Sequence, residues 1–397
     1  MYRIGQEEVD AVARVIAGKT LFRVNNAGQE VDNFEKEWAA AIGAEYALCV
    51  SGGTGALICA LAGMGIGPGD EVIVPGYTFM ATALAVAAVG AIPVIAEIDD
   101  TLTLDPRDVE EKITPQTKAV IPVHINGFPA DMESLTAIAG KYGLKILEDC
   151  CQADGGSYKG KRLGSWGVAG AYSFNDYKIL TAGEGGAMVT DDPLIYERAL
   201  VFHDGGASFR PYTSGLSIPV FAAQQYRISE VTGAILRVQL SRLEGILSDL
   251  RALKRQYMEE LSGEPGITFL RSNDIDGDCG TTLGFIFPDE ASAQAFAGTD
   301  GVMGGIPINS GKHVYSNWEP ILNHNIWHHP AFNPFNLEQN KGLRIDYSVD
   351  MCPATLDILK RTVLLPLQLD KPEAEAASRI DACRRAVRSL ATAGVVS

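Results

Sequence analysis

Between residues 46 and 149 the chain alternates short, unbroken apolar runs with stretches of helical periodicity. No other feature limits its possible folds as tightly. The apolar runs are 46–50, 71–75, 93–98, 118–124 and 144–149, and helices fit between them at 55–64, 78–90, 105–113 and 131–142. Runs with no polar alternation are strands buried on both faces, as happens when helices cover both sides of a mostly parallel sheet. Pro106 suits the first turn of one helix and Gly143 the stop of another. The fold class expected is therefore α/β.

At 397 residues the chain is long enough for two domains. The expected division is a large domain over 1–250, with a helical N-terminal segment, and a smaller α+β domain over 251–397. The smaller domain is expected to carry strands at 267–270 and 282–287 and helices at 291–297 and 372–390. In the N-terminal segment a helix is expected over 7–18, with Val9, Val12, Ala13 and Ile16 on one apolar face. Residues 21–26 read as extended, with Arg23 and Asn25 as solvated loop residues rather than substrate ligands. A second amphipathic helix covers 31–42.

The net charge of -16 lacks the basic footprint of a nucleic-acid binder. No stretch approaches the ~20 apolar residues of a membrane span, and the longest candidate, 82–98, contains Pro93. Seven cysteines, an odd number without C-x-x-C spacing, read as reduced thiols in a cytoplasmic protein. The opening Met1-Tyr-Arg-Ile-Gly-Gln is too polar for a secretion signal.

In parallel sheets of this kind, ligands gather beyond the carboxyl ends of the strands. Those ends carry Gly52-Gly53-Thr54-Gly55, then Tyr77-Thr78-Phe79, His124 and Asn126, Asp149 to Gln152, and Ser173 followed by Lys178. Lys178 lies between a short aromatic strand and the turn Gly183-Glu184-Gly185-Gly186, which leads into another strand. A surface lysine needs no glycines beside it; glycines serve close backbone approach or positive φ. A lysine forms a Schiff base with an aldehyde, and an aspartate keeps a pyridine nitrogen protonated. An aromatic residue stacks on such a ring, and a glycine-rich turn opening a helix holds its phosphate. Together these parts describe pyridoxal 5'-phosphate held by a lysine.

The motifs that carry a family likeness are Gly53-Thr54-x-Ala56-Leu57, Gly69 to Phe79, Pro122-Val-His124, Glu148-Asp149-x-x-Gln152, Ser173-x-x-x-x-Lys178 with Gly183 to Gly186, and Tyr226-Arg227. In these the chain resembles the DegT/DnrJ/EryC1/StrS family of sugar aminotransferases, of the type I aminotransferase fold. The resemblance implies that Lys178 is the Schiff-base lysine and proton shuttle. It implies that Asp149 pairs with the ring nitrogen, Gln152 contacts the phenolic oxygen, and Phe79 stacks. Ser173, Gly53, Thr54 and Gly55 would bind phosphate. It also implies a homodimer whose sites are completed across the interface, with Gln225 standing where the family has an asparagine. The expected reaction moves an amino group from glutamate or glutamine to a keto-sugar or keto-cyclitol.

The chain departs from the family at Gly52, Asp154 and His203-Asp204-Gly205, and matches loosely around Lys312 to Trp318. Lys178 disfavours a sugar dehydratase, and intact Lys178, Asp149, Gln152 and Ser173 together disfavour a non-catalytic ligand-binding descendant. His324, His328 and His329 could suggest a metal, but Pro320, Pro330 and Pro334 oppose the helix that would align them.

Overall fold

The computed structural model describes residues 3–25, 28–371 and 373–392. Two helices open the chain, Gln6–Ala17 (α1) and Glu30–Ile42 (α2). The alternation then runs Tyr46–Val50 (β1), Gly53–Met64 (α3), Glu71–Pro75 (β2), Ala81–Ala88 (α4), Ile92–Ala96 (β3), Pro106–Glu111 (α5), Thr117–Val120 (β4), Met132–Tyr142 (α6) and Lys145–Asp149 (β5). A small hairpin, Ser157–Tyr158 (β6) and Lys161–Arg162 (β7), precedes Ala169–Ser173 (β8) and Gly186–Thr190 (β9). Helices Pro193–Phe202 (α7) and Glu230–Leu261 (α8) follow. Asp105, Asp131, Asp192 and Ser229 each accept a backbone N–H at the start of α5, α6, α7 and α8, caps worth about 1 kcal/mol apiece.

The central sheet has seven strands in the order β1-β9-β8-β5-β4-β2-β3. The pairs from β8 through to β3 are parallel, whereas β9 is antiparallel to both β8 and β1. Successive strand residues face opposite cores. Ala47, Cys49 and Ile73 join the cluster under α2 and α8, while Leu48, Val50, Val72 and Val74 join the one under α3 and α4. That two-sided burial is why the strands are apolar throughout. On the α2 side, Trp38 meets the Tyr172 ring edge-on at 4.9 Å and Phe174 at 5.4 Å.

The chain continues through Glu290–Ala297 (α9), Glu319–Leu322 (α10), Pro353–Arg361 (α11) and Glu373–Thr392 (α12). An antiparallel pair, Thr282–Ile286 (β10) and Thr362–Pro366 (β11), packs with α9, α12 and the end of α8. Helix α8 runs unbroken past residue 250, with Leu243 to Leu250 in the first cluster and Tyr257 and Leu261 in the last. Tyr315, Trp318, Ile321 and Cys352 return to the sheet and pack in the α3 cluster.

Three local expectations need correction. In α1 the buried face is Ala11 and Val15, against Ala234, while Val9 and Ile16 are 59% and 58% exposed. Glu8 takes the inward position because the Gly5 N–H, Gln239 and Arg242 all donate to it. Residues 23–25 form a short 3-10 turn rather than extended chain, and Arg23 donates to Glu35 at 2.7 Å instead of facing solvent; Asn26 lies outside the described residues. Residues 267–270 make only an isolated bridge, Phe269 to Phe285, and no strand. Among the described residues no helix is long and apolar enough to cross a membrane.

Candidate active site

A cavity of about 550 Å³ opens at the carboxyl ends of the parallel strands. Gly53, Thr54, Phe79, Asp149, Gln152, Ser173 and Lys178 all line it. The first turn of α3 has no side-chain cap, so its N–H groups and the helix dipole face the cavity unanswered. Close packing fixes this turn against its neighbours. A Cβ on Gly53 would lie 2.7 Å from Cys151 Sγ and 2.8 Å from Ser173 Cβ. A Cβ on Gly186 would lie 2.5 Å from the Gly52 carbonyl carbon. Ser173 and Gly186 are themselves register partners of β8 and β9. The loop bearing Lys178 therefore leaves and returns at the edge of the helix turn.

Asp149 is 4% exposed and both its oxygens are engaged. Thr82 Oγ1 donates to Oδ2 at 2.8 Å and the Cys151 N–H to Oδ1 at 3.1 Å. Thr82 is in turn 2.8 Å from Thr78 Oγ1. These contacts fix the carboxylate plane and leave lone pairs for a donor in the cavity. The Gln152 side-chain oxygen accepts from the Asn126 N–H at 2.9 Å, so its NH2 group stays free to donate. Just outside the cavity, Asp154 is fully buried with Oδ1 unbonded. Burial pushes its carboxyl well above the usual range, with the Lys178 charge pulling the other way.

Residues 2–294 match the model of the DegT/DnrJ/EryC1/StrS aminotransferase family. The chain belongs to that family. It is 42% identical over 262 residues to dTDP-3-amino-3,4,6-trideoxy-alpha-D-glucose transaminase of Streptomyces venezuelae, covering 65% of this chain and 66% of that one. Among solved structures, 3-amino-5-hydroxybenzoic acid synthase matches with a TM-score of 0.79 at 30% identity, over 98% of this chain and 97% of that one. Streptomyces venezuelae DesV, solved with a ketimine intermediate, matches with 0.72 at 30% identity, over 96% and 94%.

Two of the sequence-nominated residues lie away from the cavity surface of this family member. Gly55 faces the Tyr226 ring, one step deeper in α3. Gln225 is exposed and bridges to Asp204. Asp204 organises the irregular 203–225 segment, accepting from the Gly206 N–H, Arg210, Arg227 and the Tyr212 hydroxyl. Burial alone would raise its carboxyl, but these donors hold it below the usual range.

Sequence reasoning missed Thr82; its place in the first turn of α4, the helix that follows β2, was the available signal. It also missed Thr281, Thr282 and Pro366, which reach the cavity from the β10–β11 region. Cys151, within the Asp149 to Gln152 stretch expected at the ligand edge, lines the cavity. His124, Glu148 and Cys150 bring possible metal ligands together, but the histidine is already spent. Its Nδ1 accepts from the Ala130 N–H and its Nε2 faces Glu148 at 3.2 Å, while Glu148 also accepts from the N–H groups of Gly164, Trp166 and Gly167. His324 and His329 serve local backbone contacts instead of converging.

Proposed function

We propose that this chain is a pyridoxal 5'-phosphate-dependent aminotransferase that moves an amino group from glutamate or glutamine to a keto-sugar or keto-cyclitol. The observation that carries the reading is the convergence of Lys178, Asp149, Ser173 and an uncapped helix start on one cavity. The donor set fits the cofactor. The free N–H groups of Gly53, Thr54 and Gly55 and the Ser173 hydroxyl suit a phosphate. Asp149 suits a protonated ring nitrogen, the free Gln152 amide a phenolic oxygen, and Phe79 the ring face.

When bound, the cofactor supplies an electron sink for the pair left by a broken C–H bond. The remaining work belongs to the chain. Lys178 would hold the cofactor through Nζ and, once freed, would serve as the base that moves a proton at that atom. Asp149, steadied by Thr82 and the Cys151 N–H, would keep a proton on the ring nitrogen. Lys178 supports amino transfer over dehydration. The transaminase relative acts on a dTDP-linked sugar by its name, which supports a sugar acceptor here.

The reading includes a homodimer in which exposed Gln225 reaches the partner's cofactor phosphate. It also includes a cytoplasmic location, supported by seven unpaired cysteines. The test is spectral. Purified protein is expected to be yellow, and L-glutamate or L-glutamine is expected to convert it to the pyridoxamine form. Lys178→Ala is expected to lose at least about a thousandfold in the rate of that conversion. A colourless protein, or colour unchanged in Lys178→Ala, would sink the proposal.

A further inference from the structure

Beside Phe79 the cavity carries a cation with no ion-pair partner among the described residues. Lys312 Nζ lies 5.3 Å from the centroid of the Phe79 ring, and both residues line the cavity. Among the described residues no carboxylate lies within ion-pair distance of it.

The backbone under Lys312 is fixed. Its carbonyl accepts from the Met80 N–H and from Trp318 Nε1, both at 3.1 Å, and the His313 carbonyl accepts from the Thr78 N–H at 2.9 Å. Met80 and Thr78 flank Phe79, so lysine and ring are carried by one bonded unit. Two carboxylates, Asp149 and Glu184, line the cavity with Lys312, and neither forms an ion pair with it. Asp149 already accepts from Thr82 and Cys151, and Glu184 is exposed on the lysine loop. Next to Lys312, burial and then the charges of Lys312 and Lys178 hold the His313 imidazole below its ordinary range, so it adds no second positive charge.

We propose that Lys312 is a specificity-determining residue that pairs with an anionic oxygen group, carboxylate or phosphate, of a substrate bound beside the Phe79 ring. Its part as a substrate selector rests on the aminotransferase reading above. An ammonium is a compact charge with three donors, suited to either anion. In a half-enclosed cavity such a charge-assisted bond is stronger than its exposed counterpart. The anion belongs to the amino donor or to the keto acceptor, and two arms of one experiment separate these sources.

In the first arm, cofactor-loaded parent, Lys312→Gln and Lys312→Arg proteins are titrated calorimetrically with benzoate, inorganic pyrophosphate and, as a neutral control, benzyl alcohol. Ionic strength is held constant to fix screening. In the second arm, L-glutamate conversion of the cofactor is followed by absorbance. Lys312→Gln is expected to weaken at least one anion about tenfold or more and to leave benzyl alcohol unchanged. Lys312→Arg is expected to stay close to the parent.

A matching loss in the L-glutamate titration assigns the anion to the donor; an unchanged one assigns it to the acceptor. Equal anion binding in parent and Lys312→Gln, or no millimolar binding of either anion to the parent, overturns the proposal. The calorimetric arm does not depend on turnover. Lys312-dependent anion binding without any response to amino donors would therefore sink the aminotransferase reading alone. A normal donor response with Lys312-independent binding would sink this one alone.

Discussion

The two walls of the cavity are built on different principles. The sheet-edge wall consists of strand ends and the first turn of α3, with Asp149 and Ser173 buried and Gly53 in contact with both Cys151 and Ser173. The rest of the lining includes Lys312, His313, Thr281, Thr282 and Pro366, delivered by short turns and the ends of a two-stranded sheet. Lys312 is exposed there. The first wall is over-determined by packing and cannot shift without disturbing the core; the second can change residue by residue. Rigid elements that hold the chemistry, with loops that choose the ligand, are the usual division of labour on such folds.

Substitutions can break or sharpen that contrast. The largest effect is expected at Asp149 on the rigid wall. Asp149→Asn keeps the shape but cannot hold the ring nitrogen protonated, and the donor half-reaction is expected to slow by about 10²–10⁴-fold, measured by stopped-flow absorbance with folding checked by circular dichroism. A loss below tenfold would mean that Asp149 is not the ring-nitrogen partner. Gly186→Ala comes next. Its Cβ would press on backbone at 2.5 Å, so a loss on the order of 4 kcal/mol or no folded product is expected by urea unfolding. A near-neutral result would show that the wall yields after all.

The smallest effect at neutral pH is expected at the root of the loop-built periphery, where His203 ends α7. Burial lowers its imidazole to about 4, and it is held neutral with Nδ1 at the Leu200 carbonyl. With an unfolded value near 6.5, the unfolded chain binds more protons between pH 6.5 and 4. His203 therefore contributes stability above pH 6.5 that is lost as pH falls toward 4. Glu35, raised by burial to about 7 despite Arg23, runs the other way, gaining stability as pH falls from 7 toward its unfolded value. In His203→Asn the acid loss is removed. The variant's stability relative to the parent is expected to rise by up to about 3 kcal/mol on going from pH 7 to pH 4, read from urea midpoints at each pH. A flat difference would refute the assignment.

Legibility in the sequence followed the same contrast. Asp149 and Ser173 end strands, and Gly53, Phe79 and Lys178 follow within a few residues of one, so the strand–helix rhythm alone brought them to one edge. Lys312, His313 and Thr281 come from more than a hundred residues further on, and their approach depends on how Tyr315, Trp318 and Cys352 pack on the sheet. No local pattern encodes that. The misread face of α1 has a related cause. Periodicity identified a helix correctly, but a buried polar cluster around Glu8, Gln239 and Arg242 decided which side turned inward. The strand expected at 267–270 shrank to one bridge, in which Leu270 N–H to Gly284 and Ile286 N–H to Thr268 bracket the Phe269–Phe285 pair.

The contact between Gly186 and Gly52 has a historical consequence. With both ends of the lysine loop anchored beside the helix turn, insertions or deletions there would dislodge the two together. The position of residue 178 is thus a fixed address, and a descendant of this chain could acquire different chemistry by exchanging the side chain at that address far more readily than by rebuilding the loop around it.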